Sequence, residues 1–167
     1  KVYINDVEVS EYLIQGSIAD DSAYTASIIT SRGQIVLGGT RDIFDLKQKK
    51  YPVGSIVDVW VKLRNGKVTK HPKGRLYVIN TSTNIEDKTL TLDVGCSLAF
   101  LSERQEQYGQ KIQDLWSLMS VNDRSSFKID QSDMSSLSNY LKAVGKIIFQ
   151  DKYGFIQTLN AFSGVGI

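Results

Sequence analysis

The stretch Leu137-Ser-Asn-Tyr-Leu-Lys-Ala-Val-Gly145, followed by Lys146-Ile-Ile-Phe-Gln-Asp-Lys-Tyr-Gly-Phe-Ile-Gln-Thr-Leu159, carries the most structural information in the chain. Met134, Leu137, Leu141 and Val144 recur at three- and four-residue spacing, the period of one helix face. Asp133 stands where an N-cap belongs, and Gly145 where a left-handed C-cap belongs. Ile147 to Phe149 then form a short strand, Asp151 to Gly154 a turn, and Phe155 to Leu159 the returning strand. A helix, a cap and a hairpin cannot bury their apolar faces against each other alone. The unit is therefore expected to pack on a larger sheet supplied by residues 1–96.

Upstream, the signals are those of an antiparallel sheet. Val2 to Val9 reads as two short strands around a tight turn at Asn5-Asp6. Ser10 is placed to cap a short helical turn that Gly16 breaks. Residues 17–30 read as one or two strands with a break near Asp20-Asp21, and Gln34 to Leu37 as another strand. Ser55 to Leu63 is the clearest strand: Val57, Val59, Val61 and Leu63 share one face, and Asp58, Lys62 and Arg64 the other, beside Trp60. Asn65-Gly66 is a strong two-residue hairpin signal. His71 to Gly74 reads as a loop, Gly74 to Asn80 as a strand and Asn84 to Asp87 as a turn. Lys88 to Val94 alternates strictly, with Leu90, Leu92 and Val94 inward. Beyond Gly95 the pattern turns helical: Ser97 to Leu101 is a short apolar turn of helix. Ile112, Leu115, Trp116 and Met119 lie on one helix face, and Phe127 to Ile129 is a candidate strand. The fold class is mainly β (α+β): an antiparallel β-barrel or sandwich module over residues 1–96, with a turn signal about every 8–12 residues. A helical segment with a terminal hairpin follows over residues 97–167 and is expected to begin a second module. The core is expected to include Val59, Val61, Leu90, Leu92, Leu115, Trp116 and Leu141.

Composition excludes several classes of function. The 167 residues carry a net charge of +2 with both signs interspersed, which is no polybasic footprint for nucleic acid. No apolar run is long enough to span a membrane as a helix. The single cysteine, Cys96, cannot close an internal disulfide and reads as a small buried hydrophobe. The single histidine, His71, reads as an exposed loop residue, so no nucleophile–histidine pair is indicated. No His or Cys spacing suits zinc, Gly38-Gly39-Thr40 is not continued into a phosphate loop, and nothing selects a catalytic pair of carboxylates. No catalytic, cofactor or metal residue is therefore assigned, and a structural or interaction role is expected rather than an enzyme. The Lys47 to Lys50 run reads as a solvated loop. Without an initiator Met, and with Phe162 to Ile167 trailing off, the chain is expected to belong to a longer polypeptide.

The opening Val2-Tyr-Ile-Asn-Asp-Val-Glu-Val-Ser-Glu-Tyr-Leu13 resembles the V-x-I-N-G-x-D-V-T-x-Y start of phage tail proteins of the hub and baseplate type, with Asp6 where that pattern has Gly. Further landmarks follow in that family's order. Tyr51 to Trp60 looks like its G-D-x-V-x-V strand, and Gly74 to Ile79 like its F-x-G-x-V strand, with Pro72 in place of the aromatic. Thr89 to Leu101 resembles its T-L-x-C segment, and Leu137 to Ile156 its helix and hairpin. The resemblance implies a tail-tube-like barrel module that self-assembles into a ring, a trimer or hexamer. Such a ring joins the tube to spike, fibre or tape-measure proteins at the distal end of a tail. It also implies location in the virion, no cofactor and no catalytic residue. Rings need an open sheet edge, and Ile35, Leu37, Ile43, Phe44 and Trp60 are the candidate interface residues. The alternative is a carbohydrate-binding β-sandwich, in which Trp60 and Tyr77 would share a stacking face.

Overall fold

The computed structural model describes residues 1–21, 27–38, 51–84, 86–118, 127 and 129–160. Nine strands and three α-helices follow in chain order among them. The strands are β1 (Val2–Ile4), β2 (Val7–Glu8), β3 (Leu13–Asp21), β4 (Thr30–Leu37), β5 (Ile56–Lys62), β6 (Val68–Asn84) and β7 (Thr89–Gly95). Helices α1 (Ser97–Tyr108), α2 (Ile112–Leu118) and α3 (Met134–Val144) come next, and a hairpin of β8 (Lys146–Gln150) and β9 (Ile156–Asn160) ends the described chain. The first seven strands form one antiparallel sheet in the order β2-β1-β5-β6-β7-β4-β3. Among the described residues no ladder joins β3 back to β2 or β1, so the sheet is open. The mainly β, antiparallel class with helices and a terminal hairpin stands, without closure into a barrel.

Local chemistry places the turns. Asn5 and Asp6 both adopt positive φ, 48° and 68°, which Asn and Asp tolerate better than other side chains and which a two-residue hairpin requires. The Asp133 carboxylate accepts the Ser136 amide at 2.7 Å, and Gly145 closes α3 with φ 66°. Several expectations shift. The helical turn after Ser10 is a single 3-10 turn, Ser10–Tyr12, and Gly16 lies inside β3 opposite Ile35. Strand β6 does not pause at His71 to Gly74. It runs through them as a bulge, four residues facing the single Val59 between the Trp60–Lys70 and Asp58–Arg75 rungs. Pro72 is tolerated there because a bulge releases one residue from donating to the ladder. Helix α1 extends to Tyr108 before Gly109 ends it at φ 65°. Phe127 and Ile129 are not in a strand; both pack on the helical core.

The sheet has a core on each side. The inner face buries Val2, Ile4, Ile35, Leu37, Val57, Leu76, Val78, Leu90, Leu92 and Val94. The outer face receives the helices and the hairpin, whose Leu98, Leu101, Ile112, Leu137, Leu141, Ile148 and Ile156 are fully buried. Each such side chain contributes about 1.5–3 kcal/mol by leaving water. Ile28 joins this second core, and its neighbours tie it to the hairpin: Ile29 N–H donates to the Ile148 carbonyl at 3.0 Å, and Ile148 N–H to that of Ser27 at 2.9 Å. Leu90, Leu92, Leu115, Trp116 and Leu141 are buried as expected. Val59 and Val61 are only half-buried, and Leu63 is exposed, because the β5–β6 ribbon runs out past the core.

Candidate functional site

The two ends of the open sheet face one another across a groove of about 250 Å³. Val2, Val59, Trp60 and His71 line one side, and Ile18 and Ile35 the other. The groove occupies the place where a closed barrel would be zipped together. Strand β3 borders it, paired to β4 along one edge and to no strand along the other among the described residues. Its Leu13 and Ile14 are exposed. Backbone amides and carbonyls on such an edge are ready to pair with an extended segment of another chain.

The expected interface residues are distributed unevenly with respect to this groove. Trp60 lies on it, half-buried. Ile35 lines its floor at 2% exposure, and Leu37 is wholly buried in the inner core. Both alternate inward on β4: Leu37 is turned away from the surface, and Ile35 meets the groove only at its floor. Ile43 and Phe44 lie outside the described residues, as do Met119 and the Lys47 to Lys50 run. His71 is half-buried beside Trp60 on the groove, and not in a solvated loop, because its strand continues through the bulge. Trp60 and Tyr77 do not share an open face. Tyr77 is buried against Phe100, ring centroids 5.9 Å apart, and burial pushes its phenol up to about 12.

Above the outer face sits a cluster that the strand pattern did not announce. Asp58 is buried, and its Oδ1 accepts both Lys70 Nζ at 2.9 Å and Arg75 Nε at 2.8 Å. The Lys70 ammonium lies 5.8 Å from the ring centroids of both Trp60 and Tyr153. Tyr153 belongs to the β8–β9 turn, so the cluster joins the sheet to the terminal hairpin. Gln150 completes the joint: its amide nitrogen donates to the Arg75 carbonyl, and its Oε1 accepts the Ser97 amide at the start of α1, 2.8 Å away. Gly154 packs on the Arg75 side chain; a Cβ there would come 2.8 Å from Arg75 Cγ. The arrangement holds elements together and presents no free nucleophile.

A second, polar hollow of about 420 Å³ lies between β4, β7 and α1. Its polar side chains are bonded to each other. Arg32 Nη1 meets Glu103 Oε1 at 2.6 Å, Gln107 donates to the other Glu103 oxygen at 2.8 Å, and Gln34 donates to Asp93 at 3.0 Å. Cys96 is buried, and its sulfur accepts the Ser31 amide at 3.4 Å, in keeping with a packing role. Among the described residues no group of three or more His, Cys, Asp or Glu side chains is placed to hold a metal ion, and no helix is long and apolar enough to cross a membrane.

Fold and groove together define a mainly β, open-sheet domain whose most distinctive surface is an unpaired edge. No protein-family profile matches the sequence, and no characterised protein matches it. Among solved structures the chain is similar to the 43 kDa tail protein of prophage MuSo2 from Shewanella oneidensis, with a TM-score of 0.44 at 12% identity. The match covers 96% of this chain and 54% of that one, so the chain spans about half the length of that protein. A likeness of this degree bears on neither activity nor partners.

Proposed function

We propose that the chain is a structural component of a phage tail or a related contractile injection machine, of the hub or baseplate type. It assembles into a ring and connects the tube to spike or fibre proteins, and its work is mechanical rather than catalytic. The observation that supports this reading is the open edge of β3 beside a groove, in a chain whose family-like landmarks fall on successive elements. Those landmarks occupy β1, β5, β6, β7 and the α3–β8–β9 unit. Such an edge is a liability for a monomer and an assembly device for a ring. The test is electron microscopy of the purified polypeptide that carries this chain. Closed rings of three or six copies are expected. A protein that stays monomeric throughout and cleaves a cell-wall or glycan substrate would contradict the reading.

A further inference from the structure

The sheet is electrically polar along its strands. Between Val59 and Asn84 the sequence holds Lys62, Arg64, Lys67, Lys70, Lys73 and Arg75 and not one Asp or Glu. Lys70 and Arg75 are committed to Asp58. Lys62, Arg64 and Lys67 are exposed at the tip of the β5–β6 hairpin, and no carboxylate pairs with them among the described residues. Leu63 and Val68 stand among these cations, 44% and 50% exposed. The tip is stiff: Leu63 N–H donates to the Lys67 carbonyl at 2.8 Å, Gly66 N–H to that of Leu63 at 2.9 Å, and Lys67 N–H to Asn65 Oδ1 at 2.9 Å.

Among the described residues, the opposite end of the same strands carries acidic side chains. The β1–β2 turn is fixed beside the start of β5, where Asn5 N–H donates to the Ile56 carbonyl at 2.8 Å. It exposes Asp6 and Glu8 around Val7, which is 64% exposed. From the Ile56–Tyr77 rung to the Lys62–Val68 rung is about 20 Å at the usual strand rise. Among the described residues the two poles point apart.

We propose that the basic tip of the β5–β6 hairpin docks onto the acidic β1–β2 end of a second copy of this chain, in a head-to-tail contact. The proposal rests on the reading of the chain as a self-assembling tail component and names the surfaces that meet. Lys62, Arg64 and Lys67 face Asp6 and Glu8, while Leu63 and Val68 cover Val7. Opposite charge steers the encounter and sets the direction of the contact, and the apolar residues give it a dry centre. A head-to-tail contact is the kind that closes rings. An anionic lipid surface would also attract the basic tip. It would leave the acidic, valine-tipped end without a role, whereas a second copy engages both.

The test is sedimentation velocity of the purified chain at low and high salt, with two charge-reversed variants. One is Lys62→Glu/Arg64→Glu/Lys67→Glu; the other is Asp6→Lys/Glu8→Lys. All substituted side chains are exposed on turns or short strands, and circular dichroism confirms that each variant folds. The wild type is expected to self-associate at low salt and to weaken at least tenfold at high salt, where the Debye length falls to a few ångströms. Each variant alone is expected to associate at least tenfold more weakly, and an equimolar mixture of the two to recover association, because the reversed poles then match. Association that both variants retain would remove this contact and leave ring assembly through another surface standing. A wild type monomeric at every salt concentration would overturn the contact and the ring together. Binding of the monomer to vesicles of anionic phospholipid, lost in the Lys62/Arg64/Lys67 variant, would assign the tip to a membrane and overturn the proposal.

Discussion

Replacing Asp58 by Asn tests the joint between sheet and hairpin. The substitution keeps the shape and removes the charge that Lys70 and Arg75 share. At an effective dielectric of about 20, a unit charge pair 2.9 Å apart attracts by roughly 6 kcal/mol. Desolvation of two nearly buried groups offsets much of that gain. The cost of breaking the pair is dominated by the ammonium left behind, and the Lys70 side chain is only 8% exposed. Arg75, at 22%, is freer to turn toward water. Asp58→Asn should therefore destabilise the chain by about 3–5 kcal/mol, the range for an uncompensated buried charge. That corresponds to a fall in Tm of about 6–20 °C for a chain of this size. Lys70→Met should cost less, since Arg75 continues to satisfy Asp58. Combining it with Asp58→Asn should recover about 1–3 kcal/mol relative to the sum of the single variants. Urea unfolding of the four proteins reads the cycle. Hydrogen exchange adds a local readout: amides of β8 and β9 should exchange faster in Asp58→Asn while those of β7 change little. An Asp58→Asn variant within about 0.5 kcal/mol of wild type, or an additive cycle, would refute the account of the cluster.

Other consequences are simpler to check. Gly154→Ala should lose about 1–3 kcal/mol by urea unfolding, since φ is +93° and the new Cβ meets Arg75 Cγ at 2.8 Å. The Ser136 amide holds the Asp133 carboxyl below its ordinary value. Its contribution is therefore complete above the unfolded pKa near 4 and is lost as pH falls through the lower folded value. Asp133→Asn keeps a capping oxygen but has no such titration, so the stability difference between wild type and variant should shrink between pH 6 and pH 2. Cys96, 2% exposed, should resist a thiol reagent in the native chain and react fully in denaturant.

The sequence announced whatever short-range chemistry decides. Asp133 and Gly145 bracketed α3, Asn5-Asp6 and Asn65-Gly66 marked turns, and the alternation of Leu90, Leu92 and Val94 fixed the inward face of β7. Features decided by distant packing stayed hidden. Asp58 looked like an outward polar residue because alternation names the two faces of a strand but not what covers them; here β8–β9 covers the outer one. Pro72 suggested a loop because a bulge within a long strand needs a partner strand to be seen. Ile35 and Leu37 were candidate interface residues because alternation does not give strand order; β4 lies between β7 and β3, where its inward side chains meet the core. Among the described candidates, Trp60 is half-buried on the groove and Ile35 lies at its floor.

The most direct test of the tail reading is cryo-electron microscopy of intact tail particles assembled with this polypeptide. The open seven-stranded sheet with its α3–β8–β9 unit is expected as repeated density at the distal end of the tube, neighbouring copies meeting along sheet edges and ends. Particles that form complete tails without it, or that carry it only as an isolated domain displayed on a fibre, would contradict the account.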